Sequence, residues 1–147
     1  MGGCVIMLFS KIKFLNRIKE LYMCKVEDQS NTPIQVLDAL GMNKGSVAMR
    51  FKIDATTFAF LNCHLKAGEG KVSDRVEMLS NILEETFLRN KGFPRDEEQP
   101  VVVIFGDLNF RVSLENQKAR EAVMRNDIEY LKQFDELICL RNSKEVN

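Results

Sequence analysis

The sequence contains no tryptophan, one histidine and three prolines in 147 residues. The single imidazole, His64, excludes any mechanism that draws a pair of histidines from this chain. Net charge is missing as well, because 21 Lys and Arg offset 21 Asp and Glu. A nucleic-acid coat wants a clear basic excess, so no nucleic-acid partner is expected and any anion site has to be local. The four cysteines, Cys4, Cys24, Cys63 and Cys139, form no closely spaced pair. With one histidine beside them, a zinc site is not expected, and free thiols in a reducing compartment are the economical reading. Long apolar runs are absent too. The first one, residues 2–9, is too short to span a bilayer, and it lacks the basic flank and cleavage pattern of a secretory signal. Gly2 and Cys4 sit as in an acylated amino terminus, but Ile6 stands where Ser or Thr is required. A cytoplasmic protein without a transmembrane segment is expected.

What is present is an ordinary globular balance, with 45% hydrophobic and 29% charged residues, enough for one domain with a single core. Residues 5–9 and 21–26 read as short strands joined by a basic stretch, and 27–33 as a polar loop. From Val47 to Ile53 apolar residues alternate against Arg50 and Lys52, the period of a half-buried strand. Asp54 and Ala55 make a turn into a second strand, 56–63, so the pair is a hairpin. Val72, Val76, Leu79, Leu83 and Phe87 recur at helical spacing, with Ser73 and Asp74 placed to cap that helix. Residues 91–100 read as an exposed connection. The unbroken apolar run 101–105 predicts a strand covered on both faces. Two shorter helices follow, 115–125 and 127–136, the second with Asn126 and Glu129 as a capping box. Strands mixed with helices give an α/β or α+β class built on a sheet.

Three segments at strand ends or in loops carry polar groups suited to chemistry. In Gly106-Asp107-Leu108-Asn109-Phe110-Arg111, Asp107 leaves the most apolar strand, and Asn109, two residues on, shares its face in extended chain. A carboxylate that takes a proton from water beside an amide that orients it is a hydrolytic pair. Gly-Asp after a strand is also a common turn. In Asn62-Cys63-His64-Leu65 the histidine ends a strand before a loop with Gly68 and Gly70. There an imidazole can bind a phosphate oxygen or protonate a leaving group, although a lone histidine is often structural. In Asn43-Lys44-Gly45-Ser46-Val47 a cationic head, a two-donor amide and an accessible backbone suit a phosphate. The same residues also make a polar hairpin turn.

Taken in order, these segments resemble the inositol polyphosphate 5-phosphatases of the DNase I-like endonuclease/exonuclease/phosphatase superfamily. The family pattern Gly-Asn-Lys-Gly-x-Val-Ala-x-Arg is matched by Asn43-Lys44-Gly45-Ser46-Val47-Ala48-Met49-Arg50. The pattern Asn/Ser-x-His-Leu/Phe is matched by Asn62 to Leu65, and Gly-Asp-Leu/Phe-Asn-Tyr-Arg by Gly106 to Arg111. Ala67-Gly68 and Arg75 look like the loop and helix start of synaptojanin-like members, and Asp135-Glu136-Leu137 stands where Asp-Gln-Leu is usual. The likeness is clear over residues 41–142. It implies a single inositol polyphosphate phosphatase domain over 1–147, a partial two-sheet β-sandwich flanked by helices. It further implies a hydrolase that removes the 5-phosphate of phosphoinositides or soluble inositol phosphates with Mg²⁺. By that resemblance Asp107 activates the attacking water, Asn109 orients it and His64 binds the scissile phosphate. Asn43 and Lys44 contact a second substrate phosphate, and Arg111 and Arg75 give support. Peripheral contact with a membrane is a further implication.

The sequence departs from the pattern in places. Met42 replaces the first glycine, Phe110 the usual tyrosine, and Val76 and Met78 stand where Asn and Asp are usual. The Gln-Glu segment whose glutamate binds the metal is not found, so no metal ligand is identified. Neither are the Pro-Thr-Tyr-Lys, Pro-Ala-Trp-x-Asp-Arg and Asp-His segments. The chain is therefore expected to be the central piece of such a domain, with little or no activity alone. Two other readings stay open: a nuclease or sphingomyelinase of the same superfamily, and a non-catalytic phosphate-binding remnant.

Overall fold

The computed structural model describes residues 4–27, 44–88, 93 and 99–143. A short 3-10 helix, Ile12–Arg17, leads into β1, Ile18–Glu27, followed by β2, Gly45–Ile53, and β3, Thr56–His64. Helix α1, Val72–Phe87, precedes β4, Val101–Asp107. Three helices close the described chain: α2, Asn116–Met124, α3, Ile128–Lys132, and α4, Glu136–Asn142. The class is α+β, as the residue pattern implied. No helix among the described residues is long and apolar enough to cross a membrane.

The strands form one sheet in the order β1-β2-β3-β4. The first three are antiparallel, and β4 joins β3 in parallel. The β2–β3 hairpin follows from sequence: two β-rich runs separated by Asp54-Ala55, with Ile53 facing Thr56 and Asp54 at a φ of 54°. A two-residue hairpin turn wants such a left-handed residue, and Asp tolerates it. A parallel pair cannot be joined by a tight turn. Helix α1 lies in the long connection between β3 and β4.

Strand alternation sorts the sheet into two faces. Ala48, Ala59, Leu61, Cys63 and Leu65 are fully buried in one cluster with Met78 and Ile82 of α1 and with Phe93. Burying side chains such as Leu61, Leu65 and Ile82 stabilises the fold by roughly 1.5–3 kcal/mol each. The opposite face carries the rings of Phe51, Phe58 and Phe60, packed at centroid separations of 5.7–6.4 Å. It continues through Val103 and Phe105, each 39% exposed. His64 and Asp107 close the same face at its end. The described residues form one sheet and leave this second face partly open.

Several expectations from sequence are corrected here. Residues 5–9 form no strand, because nothing among the described residues pairs with them in a ladder. Strand β4 is not covered on both faces: among the described residues it is the sheet edge, and Val101, Val102, Val103 and Phe105 are all exposed. Arg50, placed by alternation on a solvent side, is 2% exposed, near Glu20 and against the ring of Tyr22. Helix α1 is preceded by Lys71, with no side-chain cap, so Ser73 and Asp74 lie inside it. Asp127, rather than Asn126, caps α3 by accepting from Tyr130 N–H, while Asn126 takes a left-handed turn. The segment expected as one helix over 127–136 ends at Lys132, and Asp135 caps a separate helix, α4.

Candidate active site

The carboxyl ends of the parallel strands β3 and β4 bring His64 and Asp107 side by side, because the register pairs them directly. His64 Nε2 lies 3.7 Å from Asp107 Oδ2, with the imidazole about one third exposed and the carboxylate 66% exposed. That separation lies outside hydrogen-bond range. The adjacent antiparallel pairing sets Gly45 opposite His64, so Lys44 arrives at the same end of the sheet. Its Nζ contacts His64 Nε2 directly. A lysine ammonium can only donate, so Nε2 accepts while this contact is made. Burial pushes the Lys44 ammonium below its ordinary pKa, and the charges of Asp107 and the Cys4 thiol partly restore it.

Two glycines let the strands close at this end of the sheet. Gly45 has φ of 147°, and a Cβ there would meet Val26 O of β1 at 2.1 Å. Gly106 has φ of 114°, and a Cβ would meet Cys63 O at 2.3 Å and Asn62 Oδ1 at 2.4 Å. Gly106 thus lets β4 approach β3 beside His64, and Gly45 lets β2 approach β1.

Asn109 does not share a face with Asp107 through extended chain. Its φ is 57°, and its N–H donates to Asp107 Oδ1 at 3.2 Å, an Asx turn. The turn sends the Asn109 amide across to the strand that carries His64, where Nδ2 donates to Leu65 O at 3.0 Å. Leu65 N–H in turn donates to Asp107 O at 3.0 Å. Asp107, Asn109 and His64 therefore meet at one end of the sheet. A cavity of about 530 Å³ opens beside Asp107, lined by Asn109, Phe110, Arg111, Asp135 and Leu137 among others. His64 and Lys44 do not line it.

Arg111 is exposed on that cavity, whereas Arg75 is fully buried. Asn43 lies outside the described residues. Sequence reasoning missed Glu136 as a site-supporting group. It is 8% exposed, and it accepts from Arg75 Nη2, Arg111 N–H and Ser113 Oγ. The one signal in sequence was its place inside Asp135-Glu136-Leu137, which says nothing about burial. Among the described residues no group of three or more His, Cys, Asp or Glu stands close enough to hold a metal ion.

The arrangement can bind an anion between a lysine and an imidazole beside an exposed carboxylate. Comparison with known proteins gives the family. The model of the Endonuclease/Exonuclease/phosphatase family 2 matches residues 1–146. A probable inositol polyphosphate 5-phosphatase of Schizosaccharomyces pombe is 32% identical over 91% of this chain. A polyphosphatidylinositol phosphatase of Saccharomyces cerevisiae is 35% identical over 71% of it. The chain spans only 12% and 10% of those two relatives. Among solved structures, the inositol polyphosphate 5-phosphatase domain of SPsynaptojanin superposes with a TM-score of 0.69 at 26% identity. That structure, determined with inositol (1,4)-bisphosphate and a calcium ion, is matched over 85% of this chain and 33% of its own.

Proposed function

Since the chain belongs to the Endonuclease/Exonuclease/phosphatase family 2, alongside inositol polyphosphate 5-phosphatases, we propose that it carries the water-activating and phosphate-binding part of such an active site. The substrate is a phosphoinositide or a soluble inositol phosphate, and the reaction removes its 5-phosphate. The observation that carries this reading is the meeting of Lys44, His64 and Asp107 at one sheet end. Asp107 takes a proton from the attacking water, and the exposed carboxylate leaves room for that water. Asn109 keeps one amide hydrogen and its oxygen for water or phosphate while the other hydrogen is tied to Leu65 O. The phosphate enters between Lys44 and His64. It takes over the donor of Lys44, and His64 Nε2, once it has taken up a proton from solvent, passes that proton to the leaving oxygen.

Magnesium is the ion this reading calls for, since it offsets charge that develops on phosphoryl oxygens. Mg²⁺ is commonly held by one or two carboxylates together with water and substrate phosphates. Asp107 offers one such carboxylate, but the described residues do not complete a metal site, and no step here runs through the ion. Contact with a membrane surface follows only where the substrate is a lipid.

The test is phosphate release from vesicles holding a 4,5-bisphosphorylated inositol lipid, and from a soluble inositol 5-phosphate, with Mg²⁺ present. Release that Asp107→Asn abolishes supports the catalytic reading. Inositol phosphate binding that Lys44→Ala weakens, without any release, supports a binding role instead. Neither release nor binding sinks both.

A further inference from the structure

Arg75 is fully buried, and its guanidinium reaches both loops of the candidate site. Nη1 donates to Lys66 O at 3.2 Å and Gly68 O at 3.0 Å, the carbonyls of the segment that leaves His64. Nη2 donates to Glu136 Oε2 at 2.6 Å, and the same oxygen accepts Arg111 N–H at 2.9 Å, in the segment that leaves Asp107. Glu136 Oε1 accepts Ser113 Oγ at 3.2 Å, and Glu136 N–H donates to Arg111 O at 2.9 Å. The ring of Phe110 packs against the guanidinium at 5.3 Å. One ion pair thus ties helix α1, the loop after His64, the loop after Asp107 and the start of α4.

As a core filler this pair is a poor choice. Apolar residues of the same volume commonly stabilise a core as well or better, and Arg75 Nε is buried without a hydrogen-bond partner among the described residues. What the pair supplies is direction: a planar fork with fixed angles, which a lysine or an apolar side chain cannot reproduce. We propose that Arg75 and Glu136 are positioning residues that fix the separation of His64 and Asp107 by clamping the two loops that follow them. The inference rests on the phosphatase reading only in naming His64 and Asp107 as the working pair.

Its test needs neither substrate nor turnover. His64 is the one histidine of the chain, so its imidazole NMR signals are read without overlap. The change in those signals caused by Asp107→Asn at one fixed pH measures the coupling of the two side chains in a given background, with Lys44 as the other charged group at the ring. No such change in the parent also overturns the proposal. Three backgrounds are compared with the parent: Arg75→Lys, Glu136→Gln, and the paired replacement Arg75→Met with Glu136→Met. The paired replacement removes both charges and leaves no buried ion alone. Each background that retains a cooperative melt is expected to lose at least half of the coupling. Parental coupling in any folded background overturns the proposal. Failure of all three to fold also overturns it, because the pair would then hold the core rather than the site. Loss of coupling with phosphate release still dependent on Asp107, or without release at all, separates this inference from the functional reading beneath it.

Discussion

His64 and Asp107 are register partners on parallel strands, and their side chains stand 3.7 Å apart without a hydrogen bond between them. Lys44 occupies the other approach to the imidazole. An anion that enters this corner gains two donors at once. Charge-assisted hydrogen bonds are worth about 1.5–3 kcal/mol each. Lys44→Ala and His64→Ala are each expected to weaken inositol phosphate binding by roughly ten- to a hundredfold. Calorimetric titration checks this. The double variant should lose less than the product, because the two donors serve one phosphate.

Gly106→Ala should destabilise the fold. Its added Cβ falls 2.3 Å from Cys63 O and 2.4 Å from Asn62 Oδ1, on a backbone with φ of 114°. Strand β4 would have to leave β3 for the clash to clear. A loss of about 2 kcal/mol or more in urea unfolding is expected, a size tied to strain at a special φ. Asn109 also has positive φ, but an asparagine bears it at small cost.

Removing one member of the buried ion pair should cost more than removing both. Glu136→Ala leaves the Arg75 charge buried without its carboxylate, and Arg111 N–H loses its acceptor. Such truncations typically destabilise by about 3–5 kcal/mol, whereas a paired apolar replacement is close to neutral. Thermal melts of the single and paired variants measure the difference.

The thiols should divide by environment. Burial pushes the Cys63 thiol up to about 11, with the nearby Cys4 adding to the shift, whereas Cys139 is exposed. At pH 8 a thiol reagent should modify Cys139 at once and Cys63 only on unfolding. Between pH 9 and 11 the unfolded chain gives up the Cys63 proton while the native chain keeps it. The unfolded state then binds fewer protons, so the stability that Cys63 contributes below pH 9 is lost across that window. The fall in urea midpoint over this range should be shallower in Cys63→Ala.

The open edge is expected to self-associate. Val101, Val103 and Phe105 expose apolar surface on a strand whose outer backbone groups face no fifth strand among the described residues. Val103→Lys should reduce concentration-dependent light scattering, since a charge on an edge strand opposes pairing.

The sequence was most legible where short-range rules decide. The β2–β3 hairpin followed from alternation and its Asp54-Ala55 turn, and α1 from the spacing of Val72, Val76, Leu79, Leu83 and Phe87. The likeness of the three motifs also brought His64, Lys44, Asp107 and Asn109 forward as candidates, and the fold gathers all four at one end of the sheet. Legibility failed where long-range packing decides. The apolar run 101–105 looked like an interior strand, yet its place in the sheet order makes it an edge. Alternation set Arg50 against the apolar face of its strand, and distant partners bury it, while nothing in the sequence marked Glu136 as buried. The Asx turn at Asn109 was hidden because alternation assumes extended chain, and a left-handed residue breaks the count.

The mixed sheet also sets the order in which the site is assembled. Lys44 directly precedes one strand of a local hairpin and His64 ends the other, and local contacts close quickly. Asp107 arrives only when β4 docks in parallel against β3, after more than forty residues of intervening chain, among the slower events for a chain of this size. A chain paused before that docking holds its cation and imidazole but no carboxylate beside them. On the function proposed above, it would hold an anion and would not activate water. The corner is therefore expected to be completed late in folding, and separation of Asp107 from His64 should be among the first local signs that the edge strand has come away.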